Sequence, residues 1–229
     1  MFVHAVFDLL SYLVAGFIAW RYVRPPIAYG IRGELKWYYY TVLIAGFVLG
    51  SIALSTLNNY LSLDHRVILG KSILGALAGG IVAAEIFKSV YGIRGSTGAY
   101  LVPSLAIGIA VGRIGCFLAG LEDFTYGVET ALPWGVDFGD GVVRHPVQLY
   151  ESGAMVGFFF YALWRLRVDR VGFEQTIFYQ FILWYTLQRF AWELLKPYEP
   201  VALGINLFGW VSVGLFAYAL IYLYRVRLG

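Results

Sequence analysis

The sequence predicts an all-α integral membrane protein of about seven transmembrane helices. Its N-terminus is expected outside, its C-terminus in the cytoplasm, and a long ordered loop on the outer face between helices 4 and 5. Three observations carry this expectation. Hydrophobic residues make up 60% of the 229, charged residues only 14%, and mean hydropathy is +0.70, against roughly 25% charged in a soluble domain. Seven apolar stretches recur along the chain, each near the ~20 residues that cross a hydrocarbon core. Lysine and arginine divide unevenly between the connections.

The stretches are Phe2–Tyr22, Trp37–Leu57, Ser72–Val90, Tyr100–Ala119, Gln148–Leu166, Gln175–Leu195 and Gly204–Tyr224. The first lacks a basic leader and a small-residue cleavage site, and is expected to be a retained helix. The third carries Gly75, Ala76, Gly79, Gly80, Ala83 and Ala84; small residues let backbones approach closely in lipid, which predicts a position at the centre of the bundle. Seven Trp and 18 Tyr suit the headgroup zone. No repeat or soluble domain is present, so residues 1–229 read as one membrane domain.

With the N-terminus outside, the inner side holds 11 of the 17 basic residues: Arg21, Arg24, Arg32, Lys36, Lys88, Arg94, Arg165, Arg167, Arg170, Arg225 and Arg227. The outer half keeps Arg66, Lys71, Arg113, Arg144, Arg189 and Lys196. A basic residue on that side runs against the topology signal and needs its own reason. Arg113 and Arg189 sit inside apolar stretches, where an unpartnered charge costs ~2.5–3.5 kcal/mol or more. Arg189 has Glu193 at i+4, the spacing of an intrahelical pair. Arg113 has no partner at helical spacing, which points to a functional role.

Net charge is +3, too small to point to nucleic acid. The single cysteine, Cys116, excludes an internal disulfide and a cysteine-built metal site, and no metal or cofactor is expected. Residues 121–146 form the longest connection. Its Gly127, Gly135, Gly139 and Gly141, with Phe124, Tyr126, Leu132, Trp134 and Phe138, predict ordered structure at the outer interface rather than disorder.

Three blocks carry a resemblance. They are Gly112-Arg113-Ile114-Gly115-Cys116-Phe117-Leu118-Ala119-Gly120, then Pro133-Trp134-Gly135, then Arg144-His145-Pro146-Val147-Gln148-Leu149-Tyr150-Glu151. In that order and spacing they resemble the signature of the bacterial prolipoprotein diacylglyceryl transferases. Gln188-Arg189 through Glu193 to Lys196-Pro197, and the first-helix run Tyr12 to Phe17, are similar to further family segments. The resemblance implies transfer of a diacylglyceryl group from phosphatidylglycerol, or a similar anionic phospholipid, to the cysteine thiol of a lipoprotein precursor. Glycerol phosphate would be released, in the bacterial cytoplasmic (inner) membrane.

Carried onto this sequence, the resemblance implies catalytic roles for Arg113, Arg189, Lys71 and Glu151. It implies substrate contacts for Arg144, His145, Gln148, Tyr150, Glu193, Tyr12 and Gly115. A phosphodiester calls for guanidinium donors in a low-dielectric pocket, and the thiol must become a thiolate.

The chain also departs from the pattern. Cys116 and Ala119 stand where the family has asparagine, the acidic residue after Gly120 is displaced, and Lys71 stands where a histidine is expected. Lysine can accept a proton near neutral pH only when burial lowers its pKa, and not beside Asp64 or Glu151. Otherwise it stays charged at the phosphate side of the site, or anchors the helix at the interface. Another acceptor, or a lipid-binding or transport protein without chemistry, therefore stays open. A structural reading accompanies the remaining polar residues. His4 and His65 read as solvated, Cys116 as a small hydrophobe deep in its helix, and Glu151 as favourable to a helix N-terminus. Glu85 reads as an i,i+3 partner of Lys88. Asp8, unpartnered in the first stretch, is expected to face a neighbouring helix or a wet cavity.

Overall fold

The computed structural model describes residues 2–22, 31, 33–62, 69–197 and 200–228. Arg24, Arg32, Asp64, His65 and Arg66 lie outside the described residues, as does the side chain of His4. Each expected apolar stretch overlaps one helix: α1 Phe2–Tyr22, α2 Leu35–Ser62, α3 Ile73–Tyr91, α4 Val102–Ala119, α5 Val147–Val168, α6 Arg170–Glu193 and α7 Leu207–Leu228. Among the described residues, five helices (α1 to α4 and α7) are long and apolar enough to cross a membrane. The other two, α5 and α6, are not among them; of the polar side chains they carry, Gln148, Glu151, Gln188, Arg189 and Glu193 are buried.

Local chemistry sets the helix ends. The Ser72 hydroxyl accepts from Gly75 N (3.2 Å) at the start of α3, satisfying one orphan donor of the first turn. Gly92, with φ 66°, closes the same helix in the left-handed conformation. The Asp169 carboxylate accepts from Gly172 N (2.9 Å) and opens α6. Asn206 Oδ1 accepts from Gly209 N (2.8 Å) before α7.

The helices pack in pairs that are mostly, but not only, neighbours in sequence. α2 lies on α3, α1 on α4, α4 on α5, α5 on α6 and α6 on α7. The core is lined chiefly by α4, α5 and α6, with residues such as Ala106, Met155, Phe158, Ile177 and Phe181. The small residues of α3 serve a different purpose from the central position expected of them. They seat α3 against α2, where a Cβ on Gly79 would fall onto the Gly46 carbonyl and one on Gly75 onto the Gly50 carbonyl. At the far end of α3, Glu85 accepts from Lys88 Nζ (2.8 Å) as expected, and also from Tyr218 OH (2.8 Å) and Tyr222 OH (2.9 Å) of α7. Asp8 is exposed on α1 rather than buried against another helix among the described residues.

The α4–α5 connection is not purely helical. After a 3₁₀ turn at Gly120–Asp123, β1 (Val136–Asp137) pairs antiparallel with β2 (Val143–Arg144), with Val136 opposite Arg144. On the other side of β2, Thr130 N donates to Val143 O (2.9 Å) and His145 N to Val128 O (3.1 Å). Val128 N donates to Leu195 O (2.7 Å), tying the connection to the segment after α6. Asp137 Oδ1 accepts from the amides of Gly139 (2.8 Å) and of Asp140 and Gly141 (3.1 Å each). Gly139 (φ 102°) and Gly141 (φ 78°) supply the backbone signs this turn demands. Gly127 allows close approach, since a Cβ there would sit 2.6 Å from the His145 carbonyl oxygen.

Candidate active site

Where α4 and α6 finish and α5 and α7 begin, five charged side chains meet out of solvent. Arg113, Glu151, Arg189, Glu193 and Lys196 are each at most 6% exposed. Glu151, in the second turn of α5, accepts from Arg189 Nη1 (2.8 Å) and Lys196 Nζ (2.9 Å) on one oxygen. Arg113 Nε pairs with the other oxygen. Glu193 receives Arg189 Nη2 (2.9 Å) and, at 3.8 Å, Lys196 Nζ. Its Oε1 accepts from Asn206 Nδ2 (3.2 Å). Three cations against two carboxylates leave the five with a formal charge of +1. Charges this deep persist only when paired, and a surplus cation there favours an anion from outside.

Arg113 thus has the partner that its own helix lacks, in Glu151 of the next one. Its Nη1 also lies 3.8 Å from Cys116 Sγ. Cys116 is half-buried rather than deep, and Asp123 is its hydrogen-bonding neighbour. Lys196 is the residue that sequence reasoning missed. It was visible as a basic residue on the wrong side of the charge split, close after Glu193. A cavity of about 110 Å³ opens beside it, lined by Phe190, Glu193, Lys196, Ile205, Asn206 and Gly209.

Above this cluster, the first turn of α5 and the hairpin form a rim. Tyr150 OH accepts from Trp134 Nε1 (2.8 Å) and lies 3.3 Å from His145 Nδ1. The Trp192 ring packs on Tyr150 at 5.2 Å. Arg144 holds Asp140 through Nη1 (2.6 Å) and Nη2 (2.7 Å) and covers the Tyr126 ring. The guanidinium keeps the Asp140 carboxyl below its ordinary value. Several buried polar atoms near the cluster have no partner among the described residues: both amide atoms of Gln148, the Tyr185 hydroxyl, Gln188 Oε1 and Trp192 Nε1.

Three expected site residues stand apart. Lys71 is exposed; its neighbours Gly70 and Ser72 pack against Ser55 and Ser51 of α2. The burial that a proton-accepting lysine requires is therefore missing. Tyr12 is 74% exposed, on a helix that meets α4 through Ser11, whose hydroxyl donates to Gly108 O (2.8 Å). Gly115 is a packing residue, because a Cβ there would overlap Phe7 of α1.

A model of the prolipoprotein diacylglyceryl transferase family matches residues 4–225. The chain belongs to this family. Prolipoprotein diacylglyceryl transferases similar to it include the phosphatidylglycerol–prolipoprotein diacylglyceryl transferase of Coxiella burnetii, 31% identical over 90% of this chain and 82% of its relative. The Nitratidesulfovibrio vulgaris protein of the same name is 34% identical over 76% of this chain and 68% of its own length. The Legionella pneumophila one is 30% identical over 63% and 56%. No solved structure matches the chain significantly.

Proposed function

We propose that this chain moves the diacylglyceryl group of phosphatidylglycerol to the cysteine thiol of a prolipoprotein, in a bacterial inner membrane. The observation that carries the reading is the buried cluster of three cations and two carboxylates, set in a chain of this family. The phosphate of an anionic lipid meets Arg113 and Arg189, with the surplus positive charge holding it in a site of low dielectric. The thiolate attacks the glyceryl carbon; a carbon–sulfur bond forms and the carbon–oxygen bond to phosphate breaks. Glycerol phosphate leaves with the electron pair, and the guanidinium donors stabilise the charge gathering on it. Glu151 and Glu193 hold the two arginines in register. Arg144, His145 and Tyr150 form the rim by which lipid headgroup and peptide enter. Lys71 keeps its charge at the interface.

In the same proposal all seven helices span the bilayer, N-terminus outside. The charged Glu151, Arg189 and Glu193 of α5 and α6 are turned inward and paired, so their low hydropathy does not bar insertion. Arg21, Lys88, Arg165, Arg167, Arg225 and Arg227 close helix ends on the cytoplasmic side, and the site opens outward. Two measurements test this. A reporter after Gly229 is expected in the cytoplasm and one at Gly139 outside; a cytoplasmic Gly139 defeats the orientation. Arg113→Lys, expressed equally, is expected to lose transfer, because a point charge does not reproduce a two-donor fork. Wild-type turnover in that variant removes the phosphate role of Arg113.

A further inference from the structure

Gln148 is 1% exposed, and among the described residues neither its amide nitrogen nor its amide oxygen has a hydrogen-bond partner. A buried polar group left unpaired costs ~1–3 kcal/mol, and this side chain carries two. Leucine or methionine would fill the same volume without that penalty. Gln148 precedes Glu151 by three residues on the buried face of α5, so it stands about 4.5 Å further along the helix axis toward the rim. It thus lies on the rim side of the ion cluster, between Glu151 and the His145 end of the helix.

We infer that Gln148 reads the neutral, hydroxyl-bearing end of the lipid headgroup next to the phosphate. The inference rests on the proposed phosphatidylglycerol chemistry and deepens it. An amide offers one acceptor and two donors. A hydroxyl both donates and accepts, so a glycerol diol matches both halves of the amide. An ammonium only donates and leaves the amide nitrogen unpaired. It also brings a second unwanted charge toward a cluster that already carries +1. A carboxylate only accepts, leaving the amide oxygen unpaired. Trp192 Nε1, a further buried donor without a partner among the described residues, sits three residues beyond Arg189 on α6, and its ring packs on Tyr150. That places it to meet the same diol from the other helix. A site built to bond a hydroxyl rejects an analogue lacking it far more strongly than an apolar pocket would. Gln148 is therefore a specificity-determining residue, while the arginines below it bind whatever phosphodiester enters.

The test compares kcat/KM for phosphatidylglycerol with that for phosphatidylpropanol, which keeps the phosphodiester and the chain length but lacks both hydroxyls. The full-length protein in nanodiscs acts on a cysteine peptide with each lipid. Wild type is expected to prefer phosphatidylglycerol by about tenfold or more, the equivalent of one unpaired buried group. In Gln148→Leu the ratio is expected to fall to near one; Gln148→Met, close in shape, repeats the measurement should leucine impair folding. A wild-type ratio retained in both variants, or a wild-type enzyme with no preference, overturns the inference. Failure of wild type to modify the peptide from any lipid would count against the transfer reaction instead. Headgroup reading is then scored by the thermal stabilisation the two lipids give. Greater stabilisation by phosphatidylglycerol in wild type, equalised in the variants, supports it, and equal stabilisation throughout overturns it.

Discussion

Glu151→Gln removes one charge and leaves the side chain's shape almost unchanged. In the native protein Glu151 faces Arg113, Arg189 and Lys196 at once, and it is 1% exposed. After substitution Arg113 loses the carboxylate it pairs with, Arg189 and Lys196 keep only Glu193, and the formal charge of the cluster rises from +1 to +2. Breaking a buried pair by removing one partner costs ~3–5 kcal/mol, because the orphaned charge stays buried. At ~2–4 °C per kcal/mol for a chain of this size, the melting temperature should fall by roughly 6–20 °C. The assay is thermal unfolding of purified protein in one detergent, followed by intrinsic tryptophan fluorescence, with lipid transfer measured on the same samples. The more positive cluster should also attract anions harder, so added phosphatidylglycerol should raise the variant's melting temperature more than the wild type's. Asp140→Asn, which breaks a solvent-exposed pair with Arg144, serves as control and should barely move the transition. A Glu151→Gln protein that melts within about 2 °C of wild type would refute the reasoning, since ~3 kcal/mol predicts at least 6 °C.

Arg189 and Glu193 should behave as a coupled pair: a double-mutant cycle on thermal stability is expected to give roughly 0.5–3 kcal/mol, and strict additivity would show that each answers to another partner. Lys71→Arg should retain transfer, because the exposed side chain acts by charge and not as a base; a dead but well-folded Lys71→Arg would reopen the base role. Gly79→Leu should destabilise the α2–α3 pair by about 1–3 kcal/mol or more, as overpacking does, whereas Gly153→Ala, with open space at its Cβ, should not lower the melting temperature. Equal melting of the two glycine variants would contradict the close α2–α3 approach.

What was legible in the sequence follows the range of each interaction. Helices are read from composition along one stretch, so their number and approximate limits came through, Phe2–Tyr22 without change. The Arg189–Glu193 pair came through because i+4 is visible in one dimension. The partner of Arg113 did not, since Glu151 lies 38 residues away on another helix. Lys196 needs the turn after α6 to bring it back under Glu151. Gly75 and Gly79 announce close packing without saying against which helix; Gly46 and Gly50, also four apart on α2, are the matching half. Gly115 sits inside the family-like block yet meets Phe7, because a motif mixes residues that touch substrate with residues that hold helices together. Lys71 misled through its position opposite a family histidine, and its exposure removes the burial that the base role needed.

The central claim is that carbon–oxygen cleavage of phosphatidylglycerol is coupled to alkylation of a cysteine. The most direct measurement is the product balance of purified protein in nanodiscs with phosphatidylglycerol and a lipobox peptide. Mass spectrometry should find thioether-linked diacylglyceryl peptide and free glycerol phosphate in equal amounts, with no phosphatidic acid. Phosphatidic acid and glycerol, or glycerol phosphate released while the peptide thiol stays unmodified, would contradict it.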